Sequence, residues 1–262
     1  MPTVREIEAA LFEIAPRECA QEWDNVGHLL GNPDQEVRRC LVALDATLDT
    51  AEEAVAKGCQ LLVTHHPVMN CKWLQVQTIR DDTPQGALLT RFLRSNVSVI
   101  SMHTNLDIAQ GGVNDVLAGI LGIMNPEPFT DEGVGRCGWR EEPMALPDFV
   151  RFVSQALGCN GVRYAGAGKP VHRVAVGGGA CGEFEDAAIS AGCDTFVTSD
   201  LSYHQFVEAK SKGINLIDAG HFPTEDPICC ELVSYLAERF PGLEIQKSAS
   251  HREVIQYYVE GE

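Results

Sequence analysis

Short apolar runs alternate with amphipathic stretches along most of the chain. Val4, Ile7, Leu11 and Ile14 recur at three- and four-residue spacing, which predicts an opening helix. Thr3 and Glu6 form a capping box at its start, and Pro16 ends it. CLVALD (Cys40–Asp45) reads as a buried strand, DTAEEAVAKG as a helix closed by Gly58, and CQLLVT as the next strand. LLTRFLRSN is helical and VSVISMH is again a strand. The stretch NPEPFTDEGVGRCGW (Asn125–Trp139) is rich in Gly and Pro and predicts a loop, with a domain boundary near its start. The rhythm then resumes: LPDFVRFVSQALG (helix), HRVAVGGG (strand and turn), EFEDAAISAG (helix) and CDTFVTSD (strand). SYHQFVEAKSKG (helix), INLIDAG (strand) and PTEDPICCELVSYLAERF (helix) complete it. This alternation predicts an α/β class with largely parallel sheets.

Composition narrows the functional classes. The chain has 262 residues, and 20 Lys+Arg against 37 Asp+Glu give a formal net charge of −17. Nucleic-acid backbones are poor default partners for such a chain, because affinity for them comes from Lys and Arg neutralising phosphates. The ten cysteines include no C-x-x-C pair, so they predict free thiols and neither a zinc ribbon nor a disulfide framework. MPTVREIEAALFEIAP carries acidic residues where a leader would need an apolar core, and no apolar run is long enough to span a bilayer. A reduced, cytoplasmic protein is expected.

Chemistry-bearing residues gather at three strand ends, where ligands of open α/β sheets bind. Thr64-His65-His66-Pro67 follows QLLV, His103-Thr104-Asn105-Leu106-Asp107 follows VSVIS, and Asp218-Ala219-Gly220-His221 follows INLI, with Glu225 beyond it. Neighbouring side chains at a strand end point apart, so His65 and His66 suit two different ions better than one. His221 and Glu225, four apart, share a face wherever the helix has begun. The clusters supply imidazoles from His65, His66 and His221 and carboxylates from Asp107 and Glu225. This mixed N/O set without thiolate suits Zn, Mn, Fe, Co or Ni. Two such ions sharing a carboxylate form a clamp for hydrolysis. A competing pattern is Gly177, Gly179 and Gly182 in G-x-G-x-x-G with Asp200 further on, the outline of a dinucleotide fingerprint; a tight packing turn accounts for it equally.

WDNVGHLLG (Trp23–Gly31), LLVTHHPVM (Leu61–Met69), HTNLDIAQGGVND (His103–Asp115) and TSDLSYHQFVEAKSKGINLIDAGHFPTE (Thr198–Glu225) occur in this order. Together they resemble the signatures of the GTP cyclohydrolase 1 type 2 homologues, the NIF-three-like dinuclear metal-binding proteins. The resemblance implies two α/β domains, residues 1–124 plus 225–262 and residues 125–224, with a metal site in the interdomain cleft. It further implies two divalent metal ions per chain on His65, His66, Asp107, His221 and Glu225, with Glu225 the bridge, and a homohexamer. His103 becomes a supporting or facultative metal ligand, and His103 and His204 are the candidate catalytic assistants, although a helix-surface position for His204 stays open. Trp23, Asp24 and Asn25 line the substrate cleft, and Arg136 and Lys72 are the nearest cations for a substrate phosphate. His28 stands where the family commonly has a small or apolar residue and is not taken as a ligand, and the long insert domain of some members is absent.

The function expected is metal-dependent hydrolysis of a nucleotide-like or heterocyclic small molecule. The alternative is a non-catalytic, metal-stabilised, ring-forming adaptor. No G-x-S-x-G elbow competes as a nucleophile.

Overall fold

The alternating runs build two sheets. The computed structural model describes residues 1–258. They cluster into one unit of Met1–Gln110 with Ile228–Arg252, and another of Gly111–Pro227 with the described tail from Glu253.

In the first unit five strands lie in the order Gly27–Leu30, Ser98–Ser101, Leu61–Thr64, Arg39–Ala43, Glu244–Lys247. Every neighbouring pair is parallel except the first. The opening helix spans Val4–Ile14 with its Thr3–Glu6 capping box formed. Leu41, Leu62, Leu89, Phe92 and Val99 are buried in one core between the sheet and the helices Leu48–Ala56 and Pro84–Arg94. Burying a Leu or Phe side chain stabilises by about 1.5–3 kcal/mol. That is why LLVT and SVIS, buried at every position, run as parallel strands despite being only four residues long. Their register pairs Thr64 with Ser101, and the two hydroxyls lie 2.8 Å apart. His65, His66 and His103 therefore leave the sheet from adjacent strand ends.

The second unit carries six strands in the order Met124–Glu127, Arg136–Met144, Val171–Val176, Thr195–Thr198, Asn215–Asp218, Arg163–Ala165. The strands Val171–Val176, Thr195–Thr198 and Asn215–Asp218 are mutually parallel, and the outer pairings are antiparallel. The sheet is thus mixed, and the expectation of mainly parallel sheets holds for the first unit alone. The reason lies in Asn125–Trp139, expected as a loop. It contributes to two antiparallel strands, because their short connection allows a hairpin and no crossover. Pro126 is tolerated because its strand lies at the sheet edge. The division between units falls before the helix Val113–Ile120, whose Leu117 and Ala118 join Phe149, Val174 and Ile217 in the second core.

All ten cysteines are free thiols. No helix among the described residues is long and apolar enough to cross a membrane.

Candidate metal centre

His65 follows its strand directly and is fully buried. Its Nδ1 donates to the Met102 carbonyl at 2.8 Å, and its Nε2 lies 3.5 Å from Asp107 Oδ1. His66 Nδ1 donates to Asp45 Oδ1 at 2.7 Å, and the other oxygen of Asp45 accepts from His251 Nε2 at 2.9 Å. His103 caps the short helix Thr104–Ile108, which carries Asp107 one turn on. Its Nδ1 sits 2.9 Å from both oxygens of Asp24. His65, His66 and His103 each bring a ligand atom within 4.8 Å of the others, close enough to hold one metal ion.

Asp24 is the keystone under His103. Its carboxylate also accepts from the Thr104 backbone N–H at 3.0 Å, the Thr104 hydroxyl at 2.5 Å and the Asn25 N–H at 2.8 Å. Burial alone would raise its pKa; the His103 and Thr104 contacts outweigh it and hold the group at about 2. Asn25 braces the turn by donating to the Met69 carbonyl at 2.8 Å, while Trp23 remains 39% exposed. Asp45 likewise titrates below the usual carboxylate range: burial pushes upward, and hydrogen bonds from His251 and His66 more than reverse it.

In the second unit the parallel strand ends after Val176, Thr198 and Asp218 bring together the glycine turn, Asp200 and His221. His221 opens the helix His221–Glu225. Its Nδ1 pairs with Asp200 Oδ2 at 2.6 Å and its Nε2 with Glu225 Oε2 at 2.9 Å. Burial would lower its pKa, but the Glu225 and Asp200 carboxylates raise it to about 11. Asp200 holds this contact from a left-handed backbone (φ +55°), a conformation disfavoured for a residue with a side chain.

The glycine turn serves this pair. At Gly179 (φ +64°) a Cβ would lie 2.0 Å from Glu225 Oε1 and 3.1 Å from His221 Nε2, so only glycine admits both side chains. The N–H groups of Gly178 and Gly179 donate to Asn114 Oδ1 and Thr224 Oγ1. The donors a pyrophosphate would need are therefore engaged, and Asp200 serves His221, which removes the support for a dinucleotide fingerprint.

The remaining expected residues fall elsewhere. Arg136 is buried, its guanidinium forked onto Asp115 at 2.7 and 3.2 Å and bonded to the carbonyls of Gly133 and Gly135. Binding a substrate phosphate would have to break that brace. His204 is exposed on the first turn of the helix Tyr203–Lys212, its ring edge-on to Tyr203. His28 Nε2 faces the Leu30 carbonyl at 2.8 Å, consistent with leaving it out of the ligands. Asp45 and His251 are not among the residues the sequence points to, and Asp200 is marked there only through the glycine pattern, in a different role. A carboxylate ending a strand run, as in CLVALD, is the one signal that marks Asp45.

All four imidazoles share one design. An acceptor at each Nδ1 favours the proton there and, in a neutral ring, leaves the lone pair on Nε2, the arrangement that orients metal-binding histidines. His221, held cationic between Asp200 and Glu225, would present that lone pair only on losing its Nε2 proton. The chemistry of the set (imidazole and carboxylate, no thiolate) fits a divalent first-row metal.

Comparison with known proteins agrees over nearly the whole chain. The Duf34/NIF3 (NGG1p interacting factor 3) family pattern matches residues 2–253. A GTP cyclohydrolase 1 type 2 homolog from Streptomyces coelicolor is 36% identical over 242 residues, covering 87% of this chain and 84% of its own. One from Clostridium perfringens is 32% identical over 234 residues, covering 87% and 88%. The structure of a Staphylococcus aureus hypothetical protein superposes with a TM-score of 0.89 at 26% identity, over 98% of this chain and 99% of that one. A Bacillus cereus protein related to NIF3 shares the fold with a TM-score of 0.91 at 22% identity, over 98% and 99%. A match of this extent, at this identity to its relatives, makes the chain a member of the Duf34/NIF3 family.

Proposed function

We propose that this chain is a metal-dependent hydrolase of a nucleotide-like or heterocyclic small molecule. His65, His66, Asp107, His221 and Glu225 would hold two divalent cations, Glu225 being shared between them. The observation that carries this reading is the common backing of the imidazoles. Nδ1 of His65, His66, His103 and His221 each meets a carbonyl or carboxylate, the backing that turns the opposite ring edge toward a metal ion. Four histidines each braced at Nδ1 exceed what packing requires.

When bound, divalent cations in such a set lower the pKa of a coordinated water and polarise the bond to be broken. The chain's own residues do the rest. Asp45, Asp24 and Asp200 hold the rings in place and offset the positive charge gathered there. His103, buried and anchored on Asp24, would be the group that passes a proton to or from a substrate. Trp23 offers an exposed ring face beside it, with centroids 6.0 Å apart. The ten free thiols support a reducing, cytoplasmic setting, and a homohexameric assembly, taken from the family resemblance, is checked by light scattering.

The test is hydrolysis of nucleotides, cyclic nucleotides and generic phosphodiesters by protein loaded with Zn, Mn, Fe, Co or Ni. Activity lost in His65→Ala and Glu225→Gln, with unfolding curves that show an intact fold, supports the enzyme. Activity that survives both substitutions removes this assignment. Retained metal with no turnover across the panel favours the ring-forming adaptor.

A further inference from the structure

The segment after the His65-His66 pair carries two side chains that the reading above does not use. Cys71 is fully buried, and reciprocal backbone hydrogen bonds between Cys71 and Leu74 (3.1 and 3.2 Å) close a tight turn with Lys72 and Trp73 at its tip. Asn70, in a left-handed conformation (φ +56°), accepts from the Val76 N–H at 2.9 Å and secures the base of the turn. Trp73 is thus held out by built local structure, 60% exposed.

Its indole lies 5.8 Å from that of Trp23, tilted by 56°, and both rings meet His103 edge-on at 5.4 and 6.0 Å. Isolated exposed apolar residues are ordinary, but two adjacent exposed indoles against a buried histidine cluster are not. The Lys72 ammonium sits 5.6 Å over the Trp23 ring. It makes no ion pair with the described residues, whereas Arg5, Arg39, Arg91 and Lys57 are all paired with carboxylates. In a chain of net charge −17 an uncommitted cation beside an aromatic shelf is a specific resource. Indole faces bind flat π-systems of any sequence or substitution, and a lysine binds phosphate as a point charge.

We propose that Trp73, Trp23 and Lys72 form a stacking subsite for a flat heteroaromatic ring that carries a phosphate group. The ring lies on the indoles, the phosphate meets the Lys72 ammonium, and His103 faces the ligand from the side. This deepens the proposed function by naming a substrate class. It depends on that reading only for the consequence that the bound ligand reacts, since the shelf itself needs no metal.

The test is indole fluorescence in a Trp139→Phe background, which leaves Trp23 and Trp73 as reporters. Chelator-stripped and metal-loaded protein are both titrated with GMP, AMP, guanosine and ribose 5-phosphate, with metal content measured on the same samples. The two monophosphates are expected to quench saturably and more tightly than ribose 5-phosphate. Trp73→Ala should weaken them about tenfold or more, Trp73→Phe should recover most of the loss, and Lys72→Met should weaken GMP but not guanosine. Absence of saturable quenching up to millimolar GMP and AMP overturns the subsite. So does unchanged binding in Trp73→Ala, and so does a change in assembly mass in that variant with binding intact, which would make the shelf a contact between copies. Protein that holds metal but binds neither monophosphate sinks the subsite alone. Protein that binds them on the indoles but never holds metal sinks the metal reading and leaves the subsite standing.

Discussion

Replacing Asp45 by Asn is the sharpest probe of how the site is built, because it keeps the side-chain shape and removes the charge. One Asp45 oxygen accepts from His66 Nδ1 at 2.7 Å and the other from His251 Nε2 at 2.9 Å. A carboxamide offers one oxygen, so only one imidazole can keep an acceptor. If the amide NH2 faces His66, that ring must hand its proton from Nδ1 to Nε2 and lose the lone pair needed for a metal. If the oxygen stays on His66, the anionic partner that makes the ring a stronger base is still gone. Loss of such a supporting partner weakens metal affinity by about 10–100-fold, or about 1.4–2.7 kcal/mol. His251→Ala leaves the His66–Asp45 contact in place, so it should lower affinity by less than about threefold on the same scale. The assay is competition with a chromogenic chelator for zinc or manganese at pH 7.5, with denaturant unfolding in chelator as the control for fold. Affinity of Asp45→Asn within about twofold of the unsubstituted protein, or a loss equal to that of His251→Ala, would refute the reasoning.

Two further outcomes follow from geometry outside the ligands. Glu53 clasps the segment after Glu244–Lys247: it accepts from the Ser248 and Ser250 hydroxyls and the Ala249 and Ser250 N–H groups at 2.5–3.0 Å, and pairs with Lys57 at 2.6 Å. Although burial opposes it, the hydrogen bonds from Ala249, Lys57, Ser248 and Ser250 hold its pKa below the ordinary value, so it stabilises the fold above the unfolded pKa of about 4.3 and loses this as pH falls below that. Glu53→Gln should therefore cost about 2–4 kcal/mol in urea unfolding at pH 7, with the gap narrowing below about pH 4; a pH-independent gap would count against it. Gly179→Ala should destabilise by about 1–3 kcal/mol through its left-handed backbone. Its methyl would also displace Glu225, so metal content should fall further than the melting temperature alone accounts for. A thermal shift with full metal content would show that the turn does not seat Glu225.

The strand ends that carry the histidines are legible in the sequence because LLVT, SVIS and NLID are buried at every position. Apolar runs of that kind mark strands whose polar continuations emerge at a sheet edge. The residues behind the histidines are not legible in the same way. Asp24 lies 79 positions from His103, Asp200 lies 21 from His221, and His251 lies 206 from Asp45, so no local spacing links them. Met124–Glu127 is exposed along its whole length and has no apolar alternation to betray a strand. Gly27–Leu30 is fixed by its antiparallel partner Ser98–Ser101 more than by its own composition. The glycine turn matched a nucleotide fingerprint because both uses demand a residue without Cβ. What it approaches, Glu225 and His221, emerges only from the packing.

The central claim is that the backed imidazoles and their carboxylates exist to hold divalent cations, and the most direct measurement is elemental analysis of protein purified without added metal or chelator. About two ions per chain are predicted, falling to about one or none in His66→Ala and His221→Ala with unfolding otherwise unchanged. Protein that stays metal-free after equilibration with Zn, Mn, Fe, Co and Ni in turn, or variants that keep the full complement, would contradict it.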